Sequence, residues 1–424
     1  MADTTVPASV PTSLRRLDEA RTRFGSFAAT YLDAMHDGDP LADAFVAEFD
    51  SLGHGRAMRM LRTACREGID AVPDAPASLR DLFAQLDATP DWVDTARLDH
   101  DSRFVSRYTR QAGIVLGAAS LVSGYANSAA SRPLEMTGRY VEDAGARTVE
   151  VASWLIAVNE PGGLERLSPG FELTVRVRVI HALVRADLTR RPDWDGAAWG
   201  VPICQAYLAY TLVEFALIPL RASRDIGAPY LPHEEAASYA RWRYLGHLLG
   251  IDETLLPRDR AEQERLEAVY LMTRPPVDDF CRRLVASINA DFLVAEIEGI
   301  TPRPLHRWAP TAVHALERVF LGDEIADELA IPRTRLVGVV RRVGPALGLV
   351  NTALDRASVT LAPRARLGRR YQERQDARLR RDWGVRHDLV DASPGGGRPH
   401  PARGDTVDGP AQSSSSESRP RSIA

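Results

Sequence analysis

The stretch from Phe171 to Arg190 constrains the fold of this chain more than any other, because its polar residues fit one kind of backbone far better than another. On a strand, Arg176 and Arg178 would share a face with Ile180, and His181 would point the other way. On a helix, four polar residues follow one another along one side at steps of four, three and four: Thr174, Arg178, His181 and Arg185. An adjacent apolar stripe is formed by Val175, Val179, Ala182 and Ala186.

The start of this helix is also marked in the sequence. Ser168 is a residue type that caps helix N-termini, and Pro169 follows it at the position where a helix tolerates proline best. The run that comes next is far longer than a typical strand. The sequence therefore predicts one long helix that carries His181.

The rest of the chain repeats the helical period between turns rich in glycine and proline, and it shows almost no strand pattern. We therefore predict an all-α fold, a large multi-helix bundle. One amphipathic helix is expected over residues 12–36, ended by Gly38 and Pro40. An apolar helix is expected over residues 197–217, with Pro219 disrupting its C-terminal end.

The basic and sulfur-containing residues exclude several chemistries. All 53 basic residues are arginine, since the chain contains no lysine, so it lacks a phosphate-loop lysine and a Schiff-base lysine. The three cysteines are far apart in sequence and form no CxxC pair, which disfavours structural zinc, iron–sulfur clusters and a disulfide framework. The formal charge of -4 disfavours a general nucleic-acid binder.

Two uncharged runs are long enough that each must be considered as a possible membrane-spanning helix. Residues 111–131 contain many Gly, Ser, Asn and Gln residues, and residues 197–213 contain Pro202 and Gln205. Both runs fit buried helices better than membrane spans, so no stable membrane span is expected. The N-terminal residues lack the apolar run of an export signal, and the expected location is the cytoplasm.

His181 has a cationic side chain one turn before it and one turn after it, and like charges on one helix face repel each other. In one interpretation haem lies across them, with its iron bound to the imidazole and its propionates paired with the guanidinium groups. In the other, His181 is a hydrogen-bonded core histidine and the arginines pair with acidic residues of neighbouring helices. Spacing alone favours the second interpretation. His247 is the strongest rival as a cofactor ligand.

A second helical segment runs from Pro133 to Val158, and four of its residues share a face: Arg147, Glu150, Val151 and Trp154. The loop over residues 159–170 is rich in glycine and proline and turns the chain back. This helix is therefore expected to lie beside the helix of His181, so that Arg147 and His181 face the same cavity. In the alternative interpretation, Arg147 and Glu150 form a solvated ion pair of small energetic value.

Other cofactor and catalytic motifs are missing from the sequence. A helical di-iron site would need two Glu residues that each have a His three positions later, and no such pair occurs. HExxH, GxSxG, GxGxxG and zinc-binding Cys/His spacings are also missing. A site with a single histidine remains, and haem matches such a site better than a colourless metal does.

The order and spacing of four segments resemble the latex-clearing protein family, which comprises the bacterial rubber oxygenases and related oxygenases of the mycophenolic-acid-pathway type. The segments are GDPLADAFVAEFD (38–50), RTVE (147–150), RVRVIHALVR (176–185) and RWRYLGHLLGID (241–252). The likeness covers roughly residues 30–355, and the RVRxxHAxVR block is its most specific part.

The resemblance implies an all-helical fold with a globin-like core around one b-type haem. It implies a histidine axial ligand, which falls on His181. The arginines that flank this histidine in rubber oxygenases match Arg178 and Arg185, and a pocket arginine on the opposite side of the haem matches Arg147.

This chain departs from the rubber oxygenases at the haem pocket. Some of them have a lysine followed by a threonine after the pocket arginine, where this chain has Glu150 and Val151. A lysine-capped haem is impossible here, because the chain has no lysine. The carboxylate that serves as base in rubber cleavage has no secure counterpart, and Glu135 and Glu150 are the two choices.

The predicted function is that of a cytoplasmic haem b-dependent oxygenase that uses O2 on a small apolar substrate of isoprenoid or alkene type. His181 is the predicted iron ligand, Arg147 donates hydrogen bonds to the bound oxygen, and Glu150 accepts a proton from an allylic carbon. The predicted cofactor contacts are His181, Arg178, Arg185, Arg147 and Val151. A haem-binding sensor or carrier without turnover, and a helical scaffold without cofactor, are the alternatives.

Four regions are predicted along the chain. Residues 1–37 form an N-terminal helical extension, and residues 38–355 form the haem-binding helical domain. Residues 356–390 form a C-terminal helix, and residues 391–424 are polar, rich in Gly, Pro and Ser, and expected to be disordered.

Overall fold

The computed structural model describes residues 10–102, 105–138 and 144–383, except for the side chains of residues 100–102, 105, 144–148, 358–359, 375–376 and 378–383. The predicted tail, residues 391–424, lies outside these ranges. The described residues form helices and connecting turns and contain no strand, which confirms the predicted all-α class.

The N-terminal part of the described chain consists of seven α-helices: α1 (Leu17–Phe24), α2 (Ser26–Asp33), α3 (Pro40–Ala47), α4 (Phe49–Leu52), α5 (His54–Glu67), α6 (Ala77–Asp87) and α7 (Thr95–Ser102). The middle part contains α8 (Thr109–Val115), α9 (Val122–Tyr125), α10 (Ser128–Met136), α11 (Ala144–Asn159), α12 (Pro169–Arg190), α13 (Gly196–Trp199), α14 (Gln205–Phe215), α15 (Leu217–Asp225) and α16 (Pro232–Leu248). The C-terminal part contains α17 (Arg260–Thr273), α18 (Asp279–Ile288), α19 (Val294–Ile300), α20 (Ala309–Glu328), α21 (Leu336–Arg356) and α22 (Ser358–Trp383).

Shorter helical segments join some of these elements. The 3₁₀ segments are Ala34–His36, Ile69–Ala71, Val105–Tyr108, Glu253–Leu255 and Arg303–Trp308. Two π-helical segments, Leu116–Leu121 and Asn289–Leu293, join α8 to α9 and α18 to α19. Such wide turns cost backbone hydrogen-bond geometry and occur frequently at functional sites.

Two predicted helices are interrupted in the structure. The helix expected over residues 12–36 is divided at Gly25, whose φ of +56° places it outside the helical region. The helix expected over residues 197–217 is divided as well: α13 ends at Trp199 and α14 begins at Gln205, because Gly200 and Ile203 have φ values of +76° and +52°. Pro219 lies inside α15, in its first turn, where its missing N–H costs no helical hydrogen bond.

Several helix starts follow from local chemistry. Asp39, Asp259 and Asp278 each accept a hydrogen bond from a backbone N–H in the first turn of α3, α17 and α18, respectively. The helices pack around one contiguous apolar core. Both uncharged runs are largely buried in that core, as predicted, and none of the described helices combines the length and the apolar character that crossing a bilayer requires.

Candidate functional site

The helix that carries His181 is α12, and it begins where the sequence marks its start. Ser168 Oγ accepts a hydrogen bond from the Phe171 N–H at 3.1 Å and donates one to the Gly163 carbonyl at 2.8 Å. Pro169 is the first helical residue. The predicted helix and its cap are therefore confirmed. Because α12 packs against α3, α5, α11 and α16, it is the central helix around which the site is built.

The Arg178 guanidinium is completely enclosed by partners from other helices. Nε donates to Asp39 Oδ2 at 2.6 Å, and Nη2 donates to Asp39 Oδ1 at 3.0 Å. Nη1 donates to Gln85 Oε1 at 2.6 Å and to the Leu248 carbonyl at 3.3 Å. A Cβ at Gly250 would lie 2.4 Å from Asp39 Oδ2 and 2.5 Å from Arg178 Nε, so only glycine fits beside this pair.

Arg185 forms the second ion pair of the site, with Asp43 of α3. Its Nε donates to both Asp43 oxygens at 2.9 and 3.0 Å, and Nη2 lies 2.8 Å from Asp43 Oδ1. Nη1 donates to the Ile203 carbonyl at 2.8 Å. Since α14 begins at Gln205, this contact places the N-terminal end of α14 beside the turn of α12 that follows His181.

The two ion pairs connect segments that lie far apart in the sequence. Asp39 and Asp43 belong to the GDPLAD segment, and Arg178 and Arg185 flank His181. The carboxylates of α3 therefore neutralise the charges that an anionic cofactor was expected to neutralise, which agrees with the second interpretation of the arginines. Their contact with haem propionates stays a prediction.

His247 belongs to the same network. Gln85, which accepts a hydrogen bond from Arg178, places its Nε2 2.9 Å from His247 Nε2. Burial and, after it, the positive charge of Arg178 lower the pKa of His247. A neutral imidazole in this position adds no positive charge beside the Arg178 guanidinium.

The face of α12 around His181 is more open than the rest of the helix. Between residues 171 and 185, the partly exposed side chains are Val177, Ile180, His181, Leu183 and Val184, and the others are buried. Three of these apolar residues lie one position or one turn away from the imidazole. An imidazole with an apolar border fits the axial position of a haem, whose iron is held by one histidine and whose ring is apolar. Within the described residues no three His, Cys, Asp or Glu side chains are grouped to hold a metal ion, and a haem iron needs no such group.

The helix α11 lies beside α12, as predicted from the turn between them. Trp154 Nε1 donates to Thr174 Oγ1 at 3.1 Å, and this contact joins the two helices. Glu150 and Val151 are half-buried on α11. Arg147 is part of the α11 backbone, but its side chain lies outside the described residues, so its predicted place in a cavity with His181 stays a prediction.

A cavity of about 290 Å³ lies on another side of α11. The described residues that line it come mainly from α8, α11, α15, α16 and α22, with others from α14, α19, the 3₁₀ segment Val105–Tyr108 and both π-helical segments, and His181 is not one of them. The apolar side chains among them include Val115, Leu155, Ile156, Leu220 and Phe292. A space of this size and lining suits a small apolar molecule.

An aromatic cluster stands between this cavity and α12. Phe215 and Trp242, which both line the cavity, stack with ring centroids 5.2 Å apart. Trp154 meets each of them edge-on at 5.9 Å and hydrogen-bonds to Thr174 on α12. Thr174 is two helical turns before His181, which corresponds to about 10 Å along the helix axis.

Glu234, one of the carboxylates in the cavity lining, is held in an ion pair. Glu234 accepts hydrogen bonds from Nη1 and Nη2 of Arg107, both at 2.6 Å. Arg107 Nε donates to Asp355 at 3.0 Å, and the Tyr108 hydroxyl donates to the same carboxylate at 2.6 Å. Both oxygens of the Glu234 carboxylate are therefore engaged by the Arg107 guanidinium.

A buried group of tyrosines was not predicted from the sequence. The Tyr210 and Tyr270 rings stack at 3.3 Å, and Ser123 Oγ lies 2.8 Å from the Tyr210 hydroxyl. The hydroxyls of Tyr31, Tyr207 and Tyr270 and the amide nitrogen of Asn127 are buried and have no hydrogen-bond partner among the described residues. Buried polar atoms of this kind usually bind ordered water. The only sequence signal was the uncharged run that contains Tyr207 and Tyr210, which looks like ordinary core.

The chain was compared with known families, curated proteins and solved structures. The family model described as "ER-bound oxygenase mpaB/B'/Rubber oxygenase, catalytic domain" matches residues 106–349. The structure of a latex clearing protein in the closed state is similar, with a TM-score of 0.60 and 21% identity over 79% of this chain and 90% of that chain. At this identity the structural likeness shows the fold. No curated protein sequence matched the chain.

Proposed function

This chain belongs to the mpaB and rubber oxygenase family through its catalytic domain, and from this premise we propose that it is a haem b-dependent oxygenase that uses O2 on a small apolar substrate. The observation that carries the proposal is the extent of the family match, residues 106–349. That range includes His181, the whole of α11 and α12, and most of the residues that line the apolar cavity.

In this proposal His181 holds the haem iron through its imidazole. Haem b would supply the redox chemistry that activates dioxygen. The partly exposed Val177, Ile180 and Val184 would supply apolar contacts to the cofactor beside the imidazole. The Arg178–Asp39 and Arg185–Asp43 pairs fix α12 against α3 one turn before and one turn after His181, which limits the movement of the ligand.

Arg147 and Glu150 are proposed for the chemistry on the substrate side. Arg147 would donate hydrogen bonds to dioxygen, and Glu150 would accept a proton from an allylic carbon. Val151 follows one residue later on α11 and would contact the cofactor. We propose that the apolar cavity on the other face of α11 admits the substrate on its way to these residues, because its aromatic and aliphatic lining excludes water from a molecule with few polar groups; His181 and Glu150 are not among the described residues that line it.

An absorption spectrum tests the cofactor. Protein purified after expression with ample porphyrin is expected to show a Soret band, and His181→Ala is expected to lose it. His247→Ala is the matched control, because His247 is half-buried on a neighbouring helix and should leave the band in place. Colourless wild-type protein, or a band that survives in His181→Ala, would contradict the proposed site.

Oxygen uptake then tests the activity. The coloured protein, reduced and supplied with small apolar alkenes, is expected to consume O2 with formation of an oxygenated product. A coloured protein that consumes none with any alkene offered would instead be a haem-binding sensor or carrier.

A further inference from the structure

The helix α21 is held to the protein along one face only. A Cβ on Gly344 would lie 1.9 Å from the Asp225 carbonyl oxygen, so the helix backbone touches the end of α15. Asn351 Nδ2 donates to the Gly227 carbonyl at 2.6 Å, and the buried Asp355 accepts from Arg107 and Tyr108. These contacts recur about every turn on one side of the helix and fix its orientation.

The opposite side of α21 is apolar and exposed. Leu349 is 77% exposed, Val350 is 58% exposed and Leu347 is 49% exposed. From residue 343 to residue 354 every exposed residue is uncharged and apolar: Val343, Pro345, Ala346, Leu347, Leu349, Val350, Ala353 and Leu354. A contiguous apolar surface of this extent marks an interaction site, since leaving it in water is unfavourable. We name these eight residues the apolar face of α21.

Arginines border this face. The exposed charged residues on α21 and directly before it are Arg335, Arg341, Arg342 and Arg356, and the carboxylate of this helix, Asp355, is buried. The formal charge of the whole chain is -4, so this part of the surface is more positive than the protein as a whole. An apolar helix face with cationic borders is the pattern of helices that lie in the interface of an anionic membrane.

We propose that the apolar face of α21 docks on an anionic lipid surface, with the helix lying in the plane of the interface. The apolar side chains enter the boundary between headgroups and acyl chains, and the bordering arginines pair with lipid phosphates. A second copy of the chain fits the face less well, because pairing two such helices in antiparallel orientation would bring Arg341 and Arg342 close to the partner's Arg356. Residues 384–424 offer little to cover it, since they are mostly polar.

Docking in this orientation has a consequence for the apolar cavity. Of the three helices that pack against α21, namely α15, α20 and α22, two contribute residues to the cavity lining: Leu220 belongs to α15 and Tyr371 to α22. Docking would therefore place the membrane one helix away from two helices that line the cavity. This consequence rests on the proposed function, whereas the docking itself does not.

Vesicle co-sedimentation of the full-length protein tests the proposal. Binding is expected to vesicles of phosphatidylcholine with phosphatidylglycerol, to fall with added salt, and to be weak on phosphatidylcholine alone. Leu347→Gln with Val350→Gln is expected to lower the partition coefficient several-fold. The matched control is Leu167→Gln, at a leucine that is 50% exposed in the turn before α12. Equal binding by the two variants would overturn the proposal.

The arginines are tested separately. Arg341→Gln with Arg342→Gln is expected to lower partition into the anionic vesicles roughly 30-fold, at about 1 kcal/mol per arginine near a charged membrane. Arg59→Gln with Arg80→Gln, at two exposed arginines of α5 and α6, should leave it unchanged. Binding that ignores these changes would overturn the proposal. So would a dimer in analytical ultracentrifugation that dissociates in the Leu347→Gln, Val350→Gln variant, because the face would then belong to a second copy.

None of these results depends on haem or on turnover. A protein that is colourless but binds anionic vesicles through α21 would retain this inference and lose the proposed function. A coloured, active protein that ignores vesicles would do the opposite.

Discussion

Replacing Asp39 by asparagine tests whether Arg178 serves the fold of the protein or its cofactor. In the structure both oxygens of Asp39 accept hydrogen bonds from Arg178, at 2.6 and 3.0 Å. Both residues are 2% exposed, so water cannot replace the lost charge. Asparagine keeps the shape of the side chain and can still accept the hydrogen bond from the Ala42 N–H that caps α3.

The expected cost follows from the burial of the remaining charge. Removing one partner of a buried ion pair costs about 3–5 kcal/mol, because the other charge stays buried without compensation. The hydrogen bonds from Arg178 to Gln85 and the Leu248 carbonyl remain, and asparagine can still accept one bond. We therefore expect Asp39→Asn to lower the free energy of unfolding by about 3 kcal/mol, at the lower end of that range.

Urea unfolding monitored by circular dichroism measures this change, on the protein as purified and after removal of any bound chromophore. Glu19→Gln serves as the control, because the Arg16–Glu19 pair is exposed and is expected to contribute nothing measurable. Asp39→Asn should lose stability in both preparations. A change of less than about 1 kcal/mol with a marked loss of haem would refute the reasoning, because Arg178 would then act on the cofactor and not on the fold.

Three further predictions concern other parts of the molecule. Burial raises the pKa of Glu317 to about 8 from its ordinary value of 4.5. Between these two pH values the unfolded chain has released a proton that the folded chain keeps. The free energy of unfolding therefore falls by roughly 1.4 kcal/mol per pH unit over this range. The difference between melting temperatures at pH 5 and pH 8 should therefore be smaller in Glu317→Gln than in the wild type; an equal difference in the two proteins would contradict this burial. Gly250→Ala should lower the melting temperature, because its Cβ would lie 2.4 Å from Asp39 Oδ2 at a φ of +76°, whereas Gly55→Ala, on α5 with no atom closer than 3.4 Å, should not. Leu155→Trp should fill the apolar cavity and lower turnover of an apolar substrate while the Soret band stays; unchanged turnover would place the substrate elsewhere.

Much of the fold could be read from the sequence because its signals are local. The cap at Ser168, the proline after it and the helical period of the following residues predicted α12 correctly. The loop over residues 159–170 correctly predicted that α11 turns back onto α12. The two interrupted helices were predicted wrongly because a backbone break requires only one residue with positive φ: glycine at position 25 permits such a break without requiring it, and isoleucine at position 203 gives no sign of it.

The same contrast between local and long-range signals applies to the candidate site. The spacing of His181 and its two flanking arginines and their resemblance to a known family made them candidates; the family model confirms the family, and the roles of these residues stay predictions. The partners of these arginines could not be recognised, because Asp39 and Asp43 lie 139 and 142 residues away in sequence from Arg178 and Arg185. The apolar cavity was missed for a similar reason, since its lining comes from helices spread over most of the described chain.

The sequence by itself determined the all-helical class, the central helix and the imidazole at its middle, because caps, periodicity and residue type act over one or two turns. Tertiary structure alone decided which charges neutralise the arginines, where an apolar space remains, and which face of α21 stays in solvent. Burial sets the energy of each of these features, and burial is a property of the packed helices that no single segment possesses.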